Sequence, residues 1–176
     1  MARLRLTGVL LVGGASERFG SPKALARLGG CTLAEIGWDA LAFCDERIAV
    51  GKEADGLELP FPAIDDGADV RAPIAGVVAG LRAAAHDLSV VLPVDVPRIT
   101  PAALTALAEN CADAAVPQTG PLPAAYRKSA IPALEAALAA GRLSLREAIE
   151  GLEVVEVDID PALLANVNTQ DDLARI

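Results

Sequence analysis

Residues 6–23 read LTGVLLVGGASERFGSPK, and this stretch decides the fold class that the sequence predicts. Its first part, Leu6 to Val12, is a short apolar run that ends in two glycines, which is typical of a strand buried on both faces. A polar loop follows, and Pro22 then opens a short helix that continues to Ala26. Strand, glycine loop and helix in this order indicate the first unit of an α/β domain.

Further strands and helices alternate along the rest of the chain. The predicted strands are Arg47 to Val50, Phe61 to Ile64, Ser89 to Val94, Asp113 to Pro117, Leu122 to Tyr126 and Glu153 to Ile159. The predicted helices run from Thr32 to Cys44, Pro73 to Ala85, Thr100 to Asn110, Ile131 to Ala140, from Ser144, and from Thr169 to Ile176. The alternation predicts an α/β fold with a mostly parallel sheet and three layers, built as one domain over residues 1–176.

Composition excludes several classes of protein. Hydrophobic residues make up 53% of the chain and charged residues 22%, which excludes intrinsic disorder. The net charge of −9 disfavours general nucleic-acid binding, because an acidic surface repels phosphate backbones. No apolar run approaches the ~20 residues that a membrane-spanning helix needs. We therefore expect neither a nucleic acid nor a membrane as partner.

The cysteines and the single histidine give little support to covalent catalysis. Cys31, Cys44 and Cys111 are far apart and form no CxxC, so we expect buried thiols in a reducing cytoplasm rather than disulfides or a zinc site. His86, the only histidine, ends an Ala-rich helix, and no nucleophile elbow lies near it. The start of the chain runs directly into the first predicted strand and lacks the pattern of a signal peptide.

The loop after the first strand predicts a phosphate-binding site. Gly13 and Gly14 allow backbone N–H groups to approach an anion, while Arg18 and Lys23 add positive charge. The loop follows the carboxyl end of a strand, where open α/β sheets bind ligands. Its spacing fits neither the Walker A loop nor the dinucleotide fingerprint. The alternative interpretation is a plain strand-to-helix turn with solvated charges.

A second candidate site lies in residues 90–99, VVLPVDVPRI, where a buried strand delivers Asp95 to the same edge. One carboxylate beside a polyphosphate suits Mg²⁺, which binds one or two carboxylates together with phosphate oxygens. Without the phosphate loop, a helix-capping role for Asp95 would be equally reasonable.

Two further polar stretches are candidates for ligand contact. Asp65 and Asp66 precede the Pro73 helix, where a carboxylate could accept hydrogen bonds from a ribose or a purine, or lie in a solvated acidic loop. Asn166 and Asn168 flank a valine and therefore point the same way in an extended chain. The alternative for them is an Asn-rich turn before a capped helix.

Taken together in order, these stretches resemble the molybdenum cofactor guanylyltransferase family. The family's opening motif is Leu-Ala-Gly-Gly, three variable residues, Arg-Met-Gly, two variable residues and Lys, and residues 11–23 fit it, with Val12 for Ala and Phe19 for Met. Asp95-Val96-Pro97 matches its Asp-x-Pro motif. Residues 72–76, APIAG, are similar to its Gly-Pro-Leu-Ala-Gly, and residues 166–169, NVNT, to its carboxy-terminal motif.

The resemblance implies a Rossmann-like nucleotidyltransferase that uses Mg²⁺ and transfers GMP from GTP to molybdenum-bearing molybdopterin, with release of pyrophosphate. It also implies transient contact with proteins of cofactor biosynthesis or with acceptor proteins. The residues that it assigns to catalysis are Lys23, Arg18 and Asp95, with Asp95 as the metal ligand. Those that it assigns to the nucleotide are Leu11, Gly13, Gly14, Lys23, Asp65, Asp66 and Asp95, with the choice within the Asp65–Asp66 pair left open. Asn166 and Asn168 are assigned to the pterin.

Two alternatives remain at this point. A sibling transferase, either a cytidylyltransferase for the same pterin or a nucleotidyltransferase that acts on a sugar phosphate, would share most of these motifs. Cytidylyl relatives tend to carry Ala where this chain has Gly13, which favours the guanylyl group. A non-catalytic carrier of nucleotide or pterin on the same fold would not need Lys23 and Asp95, and both are present.

Overall fold

The structure is a computed structural model that describes residues 4–13 and 19–176. The strands in these ranges are Leu6–Leu11 (β1), Arg27–Leu28 (β2), Cys31–Thr32 (β3), Glu46–Gly51 (β4), Ala63–Asp65 (β5), Leu88–Pro93 (β6), Ala114–Pro117 (β7), Ala124–Arg127 (β8) and Val154–Val157 (β9). The α-helices are Leu33–Ala40 (α1), Pro73–Ala83 (α2), Pro101–Glu109 (α3), Ile131–Ala139 (α4), Leu145–Ala148 (α5) and Gln170–Ala174 (α6). None of these helices has the length and apolar character needed to cross a membrane.

Seven of the strands form one sheet in the order β5-β4-β1-β6-β8-β7-β9. The first four of these are mutually parallel, as are β7 and β9, whereas β8 runs antiparallel to both of its neighbours. Strands β2 and β3 form a separate hairpin. The predicted α/β fold with a mostly parallel sheet is therefore confirmed.

Helices cover both faces of the sheet, which gives the three predicted layers. Successive side chains of β1 point to opposite faces, so Leu10 packs with α1 and α3, and Val9 packs with α2 and α4. Both helices next to β1 approach it through a glycine. A Cβ atom at Gly37 in α1 would lie 2.6 Å from Leu10 Cδ1, and one at Gly80 in α2 would overlap Val9 Cγ1.

Several boundaries differ from those that the sequence predicts. Helix α1 ends at Ala40 rather than Cys44, because the chain must turn to bring Asp45 beside β1. There the Asp45 N–H donates to the Leu6 carbonyl, and the Asp45 carboxylate accepts from the Leu6 N–H, both at 2.9 Å. The predicted helix after Pro22 is a single 3₁₀ turn.

The third predicted strand along the chain is also shifted, since β5 covers Ala63–Asp65 rather than Phe61 to Ile64. Its position follows from its pairing with β4, where Ile64 lies opposite Val50. Phe61 instead stacks on Trp38, with ring centroids 4.1 Å apart.

The three cysteines are unpaired, but they are not all buried. Cys111 is buried and Cys44 is partly buried, and burial raises the pKa of these thiols to about 11 and about 12 respectively. Cys31 is exposed because it lies on the small β2–β3 hairpin, outside the main sheet, so the expectation of burial is wrong for this residue.

A polar contact joins strands at the amino edge of the sheet. The Glu46 carboxylate accepts hydrogen bonds from the Thr7 hydroxyl at 2.7 Å and the Ala85 N–H at 2.8 Å. Burial alone would raise the pKa of Glu46, but these hydrogen bonds, with His86 and Lys128 nearby, outweigh it and leave the pKa below its usual value. The contact ties β1, β4 and the end of the α2 region together on the side away from the carboxyl edge.

Candidate active site

A cavity of about 350 Å³ opens at the carboxyl edge of the parallel strands. It is lined by the ends of β1, β4 and β6 together with the start of α2, which is where open α/β sheets bind ligands. The lining includes Leu11, Val12, Gly13, Lys23, Gly51, Lys52, Asp66, Arg71, Pro73, Gly76, Pro93, Val94, Asp95 and Leu122. Five of the predicted site residues, Leu11, Gly13, Lys23, Asp66 and Asp95, are therefore part of one cavity.

The floor of this cavity includes two glycines, Gly13 shortly after β1 and Gly51 at the end of β4. A Cβ at Gly13 would lie 3.4 Å from Gly51 Cα, and a Cβ at Gly51 would lie 2.9 Å from Val12 Cγ2. The two backbones therefore run close together, which leaves room above them for a ligand. Gly14 and Arg18, also predicted to bind the phosphates, lie outside the described residues.

Lys23 extends from the 3₁₀ turn Lys23–Leu25 and lies between two other predicted site residues. Its Nζ is 3.5 Å from Asp95 Oδ2 and donates to Asn168 Oδ1 at 3.1 Å. The turn is anchored by Ala24, whose side chain is buried in the core. The first, middle and last motifs of the chain thus meet around one ammonium group.

Asp95 follows β6, and its backbone connects the sheet to the carboxy-terminal segment. Its carbonyl oxygen accepts a hydrogen bond from the Val167 N–H at 2.8 Å. The carboxylate is partly exposed to the cavity, with 26% of the side chain accessible. In the described part of the chain no cluster of three or more metal-binding side chains occurs, so a metal here would need ligands from a substrate as well.

Asn166 and Asn168 lie on the same side of their segment. Both are exposed, while Val167 between them is fully buried, as expected for an extended chain. The N–H groups of Asn168 and Thr169 donate to the Asp172 carboxylate at 2.9 Å. These hydrogen bonds, led by that from Asn168, hold the pKa of Asp172 below its usual value. The segment is therefore fixed in place beside Lys23.

The structure separates Asp65 from Asp66. Asp66 lines the main cavity, and its Oδ1 accepts from Lys52 Nζ at 2.8 Å. Asp65 lines a smaller cavity of about 310 Å³ on the other side of Gly51. Both Asp65 oxygens accept backbone N–H groups, from Glu53 and from Gly67, each at 2.7 Å, and these bonds lower the pKa of Asp65.

Sequence analysis missed two cations of the cavity wall, Lys52 and Arg71. Lys52 comes directly after β4, and Arg71 forms an ion pair with Asp55 at 2.7 Å. Only Lys52 could have been identified from the sequence, because Gly51-Lys52 directly follows a predicted strand at the same edge of the sheet as Gly13. Arg71 stands in an irregular loop, and its position depends on contacts that the sequence pattern does not reveal.

The start of α2 forms another part of the wall. Ala72 at the N-cap has no side-chain acceptor for the first amides of the helix, and Pro73 occupies the first turn. The positive end of the helix dipole therefore faces the cavity, where it favours an anionic ligand. Gly76 allows this close approach, since a Cβ there would lie 2.9 Å from Leu11 Cδ2.

Comparison with known proteins matches residues 8–156 to the model of the MobA-like NTP transferase domain. A probable molybdenum cofactor guanylyltransferase from Chloroflexus aggregans is 33% identical over 98% of this chain and 94% of its own length. The molybdenum cofactor guanylyltransferase of Rhodobacter capsulatus is 33% identical, over 98% of this chain and 95% of its own. Among solved structures, molybdopterin-guanine dinucleotide biosynthesis protein A from Archaeoglobus fulgidus superposes with a TM-score of 0.82 at 29% identity, covering 96% and 95% of the two chains.

Proposed function

The chain belongs to the family of MobA-like NTP transferase domains, and from this membership we propose that it transfers GMP from GTP to molybdenum-bearing molybdopterin. The products are the guanine dinucleotide form of the cofactor and pyrophosphate. One observation carries the proposal: Lys23 Nζ lies between Asp95, on the predicted nucleotide side, and Asn168, on the predicted pterin side. A group in this position touches both substrates of a transfer reaction.

The reaction joins two anions, and the cavity supplies the charges that this requires. A phosphate oxygen of the pterin attacks the α-phosphorus of GTP, the bond from that phosphorus to the bridging oxygen breaks, and pyrophosphate leaves with its electron pair. Lys23 and the positive end of α2 stabilise the negative charge in the transition state, and we assign Arg18 the same role. The attacking oxygen is already ionised at neutral pH, so the step needs no general base. Because this oxygen attacks the α-phosphorus directly, the step needs no covalent nucleophile either.

We assign Asp95 as the protein ligand of Mg²⁺. The residue types fit the metal, because a single partly exposed carboxylate beside a polyphosphate is the arrangement that Mg²⁺ commonly uses. When bound, the metal would neutralise charge on the phosphate oxygens and orient them. Asp95 also positions Lys23, and its carbonyl holds the Asn166–Asn168 segment through Val167.

Within the cavity we place the phosphates near Gly13 and Lys23, and we assign Gly14 the same role. We place the nucleoside over Leu11 toward Asp66, because Asp65 lines the smaller cavity instead. We place the pterin beside Asn166 and Asn168. This arrangement is supported by the lining of the cavity, which includes Lys23 and Asp95 as well as Lys52 and Asp66.

The transfer is tested directly with α-³²P-labelled nucleotides, Mg²⁺ and molybdenum-loaded molybdopterin. We expect labelled dinucleotide cofactor and stoichiometric pyrophosphate with GTP only. Transfer from CTP would identify the cytidylyl sibling instead. Tight GTP binding without pyrophosphate release would identify a carrier, and both results would overturn the proposal.

We also propose that residues 1–176 act as one catalytic domain in the cytoplasm. The family match over residues 8–156 supports a single unit, and unpaired thiols are typical of a reducing compartment. Release of the product requires transient contact with the proteins that supply the pterin and accept the finished cofactor. Cell fractionation with an activity assay on each fraction checks the location.

A further inference from the structure

The ion pair between Lys52 and Asp66 is arranged to recognise a nucleobase by hydrogen bonds, and we propose that it selects guanine. In this arrangement the Lys52 ammonium donates to guanine O6, while Asp66 Oδ2 accepts from the N1–H and 2-amino groups. The inference rests on the proposed function, because it names the residues that give the transfer its nucleotide.

The pair is held in one orientation at the cavity wall. Lys52 follows β4 and Asp66 follows β5, and their side chains are only 13% and 9% exposed. Ala68 fixes both partners, because its carbonyl accepts from Lys52 Nζ and its N–H donates to Asp66 Oδ1 at 2.9 Å. Such a pair loses little further side-chain entropy when a ligand binds, unlike an exposed surface pair.

Each partner keeps hydrogen-bonding capacity that the described residues do not use. An ammonium group has three donors, and within residues 4–13 and 19–176 Lys52 Nζ uses two of them, to Asp66 and Ala68. Over the same residues Asp66 accepts hydrogen bonds only at Oδ1, which leaves Oδ2 as an acceptor. Because both side chains line the main cavity, the pair presents one donor and one acceptor to it.

The pair lies at a suitable distance from the phosphate end of the cavity. Strands β4 and β6 are separated by β1, so their ends are about 10 Å apart at the usual strand spacing. This is close to the span from the α-phosphate to the base edge of an extended nucleotide. An α-phosphate at Lys23 and Asp95 therefore places the edge of the base at Lys52 and Asp66.

The order of donor and acceptor matches guanine and not adenine. Guanine presents an acceptor, O6, next to two donors, N1–H and the 2-amino group. Adenine presents a 6-amino donor beside an N1 acceptor. In the same position its amino group would face the Lys52 ammonium, which is also a donor, and its N1 would face the Asp66 carboxylate, which is also an acceptor. A site whose buried polar groups are left unpaired by the wrong ligand discriminates strongly against it.

The test compares nucleotide discrimination in variants of this pair. Dissociation constants for GTP, ITP and ATP with Mg²⁺ are measured by calorimetry for the wild type, Lys52→Met and Asp66→Asn. Lys128→Met is the matched control, because Lys128 also donates to a backbone carbonyl, that of Ala84 at 2.7 Å, but lies at the opposite edge of the sheet. Lys52→Met alone leaves the Asp66 carboxylate without its ion-pair partner, which could destabilise the fold. The double variant Lys52→Met, Asp66→Asn removes both charges together and avoids this effect.

We expect Lys52→Met and the double variant to lower the preference for GTP over ATP by about ten- to hundredfold, as for loss of a charge-assisted hydrogen bond. Asp66→Asn should reduce the preference for GTP over ITP, which lacks the 2-amino group, while Lys128→Met should change neither ratio. A wild type that prefers GTP, with unchanged ratios in folded Lys52 and Asp66 variants, would overturn this inference alone. A wild type without preference for GTP would overturn the inference and the proposed function together.

Discussion

The Lys23→Met variant should lose about 10²- to 10³-fold in kcat while keeping its fold. The Lys23 ammonium lies between the Asp95 carboxylate and the Asn168 amide, inside the cavity where we propose that the transferring phosphate binds. Removal of one preorganised donor to the developing charge typically costs about 2.7–4 kcal/mol of transition-state stabilisation. Methionine preserves most of the side-chain volume, so packing around the turn changes little.

The expected cost in folding stability is much smaller. The Nζ–Oδ2 distance of 3.5 Å is long for an ion pair, and both side chains are partly exposed, at 17% and 26%. Loss of such a pair costs about 1 kcal/mol or less, which is a shift of roughly 2–4 °C in Tm for a chain of this size. Activity and stability should therefore respond to the substitution by very different amounts.

The assay measures kcat and KM for GTP and for the pterin, together with Tm by differential scanning calorimetry. The chain has only three lysines, and Lys128→Met, at the opposite edge of the sheet, provides the control. Full turnover in Lys23→Met would refute the role of the ammonium group. A fall in Tm of much more than about 4 °C would refute the claim that Lys23 contributes little to folding stability.

Further predictions concern the metal, the packing, the pH dependence and the thiols. Asp95→Asn should abolish activity together with its dependence on Mg²⁺; an active variant that still responds to Mg²⁺ would place the metal elsewhere. Gly80→Ala should lower the free energy of unfolding by about 1–3 kcal/mol in urea titration, because the new methyl group overlaps Val9 and outweighs the gain in helix propensity. Because hydrogen bonds lower the pKa of Glu46 in the folded state, its contribution to stability is complete above about pH 4.5 and is lost as the pH falls through the folded pKa. Glu46→Gln should therefore destabilise the chain at pH 7, and the difference from wild type should shrink in unfolding curves at lower pH. Thiol labelling at pH 8 should modify Cys31 first, since burial raises the pKa of the other two thiols, and equal rates for all three in the native chain would contradict the packing.

The layers of the fold are predictable from local pattern, whereas the strand order is not. Residues that are neighbours in the sequence are enough to predict the apolar strands β1 and β6 and the capping box at Thr32. The structure confirms all three. The insertion of β8 between β6 and β7 depends on pairings such as Val90 with Ala125, across 35 residues of chain by number. No periodicity encodes a partner that distant, so the antiparallel strand could not be placed in advance.

The candidate site divides in the same way. Gly13 and Asp95 could be placed together, because each follows a strand of a predicted parallel sheet. The separation of Asp65 from Asp66 could not be predicted, since it depends on the register that sets Asp65 opposite Gly51 and leaves its neighbour facing the other cavity. Lys52 was missed because Gly51-Lys52 also fits a solvated turn, and only its contact with Asp66 distinguishes the two.

The hydrogen bond between Lys23 and Asn168 has a consequence for how the protein is made. Its two partners are separated by 145 positions, and the Val167–Asp95 contact likewise waits for the last segment of the chain. During translation the sheet strands up to β9 leave the ribosome before that segment does. Val167 in the same segment is fully buried in the core that packs under α1 and α3, so the last segment completes this core and the Lys23–Asn168 contact together. A copy of the chain that stops short of this segment has neither.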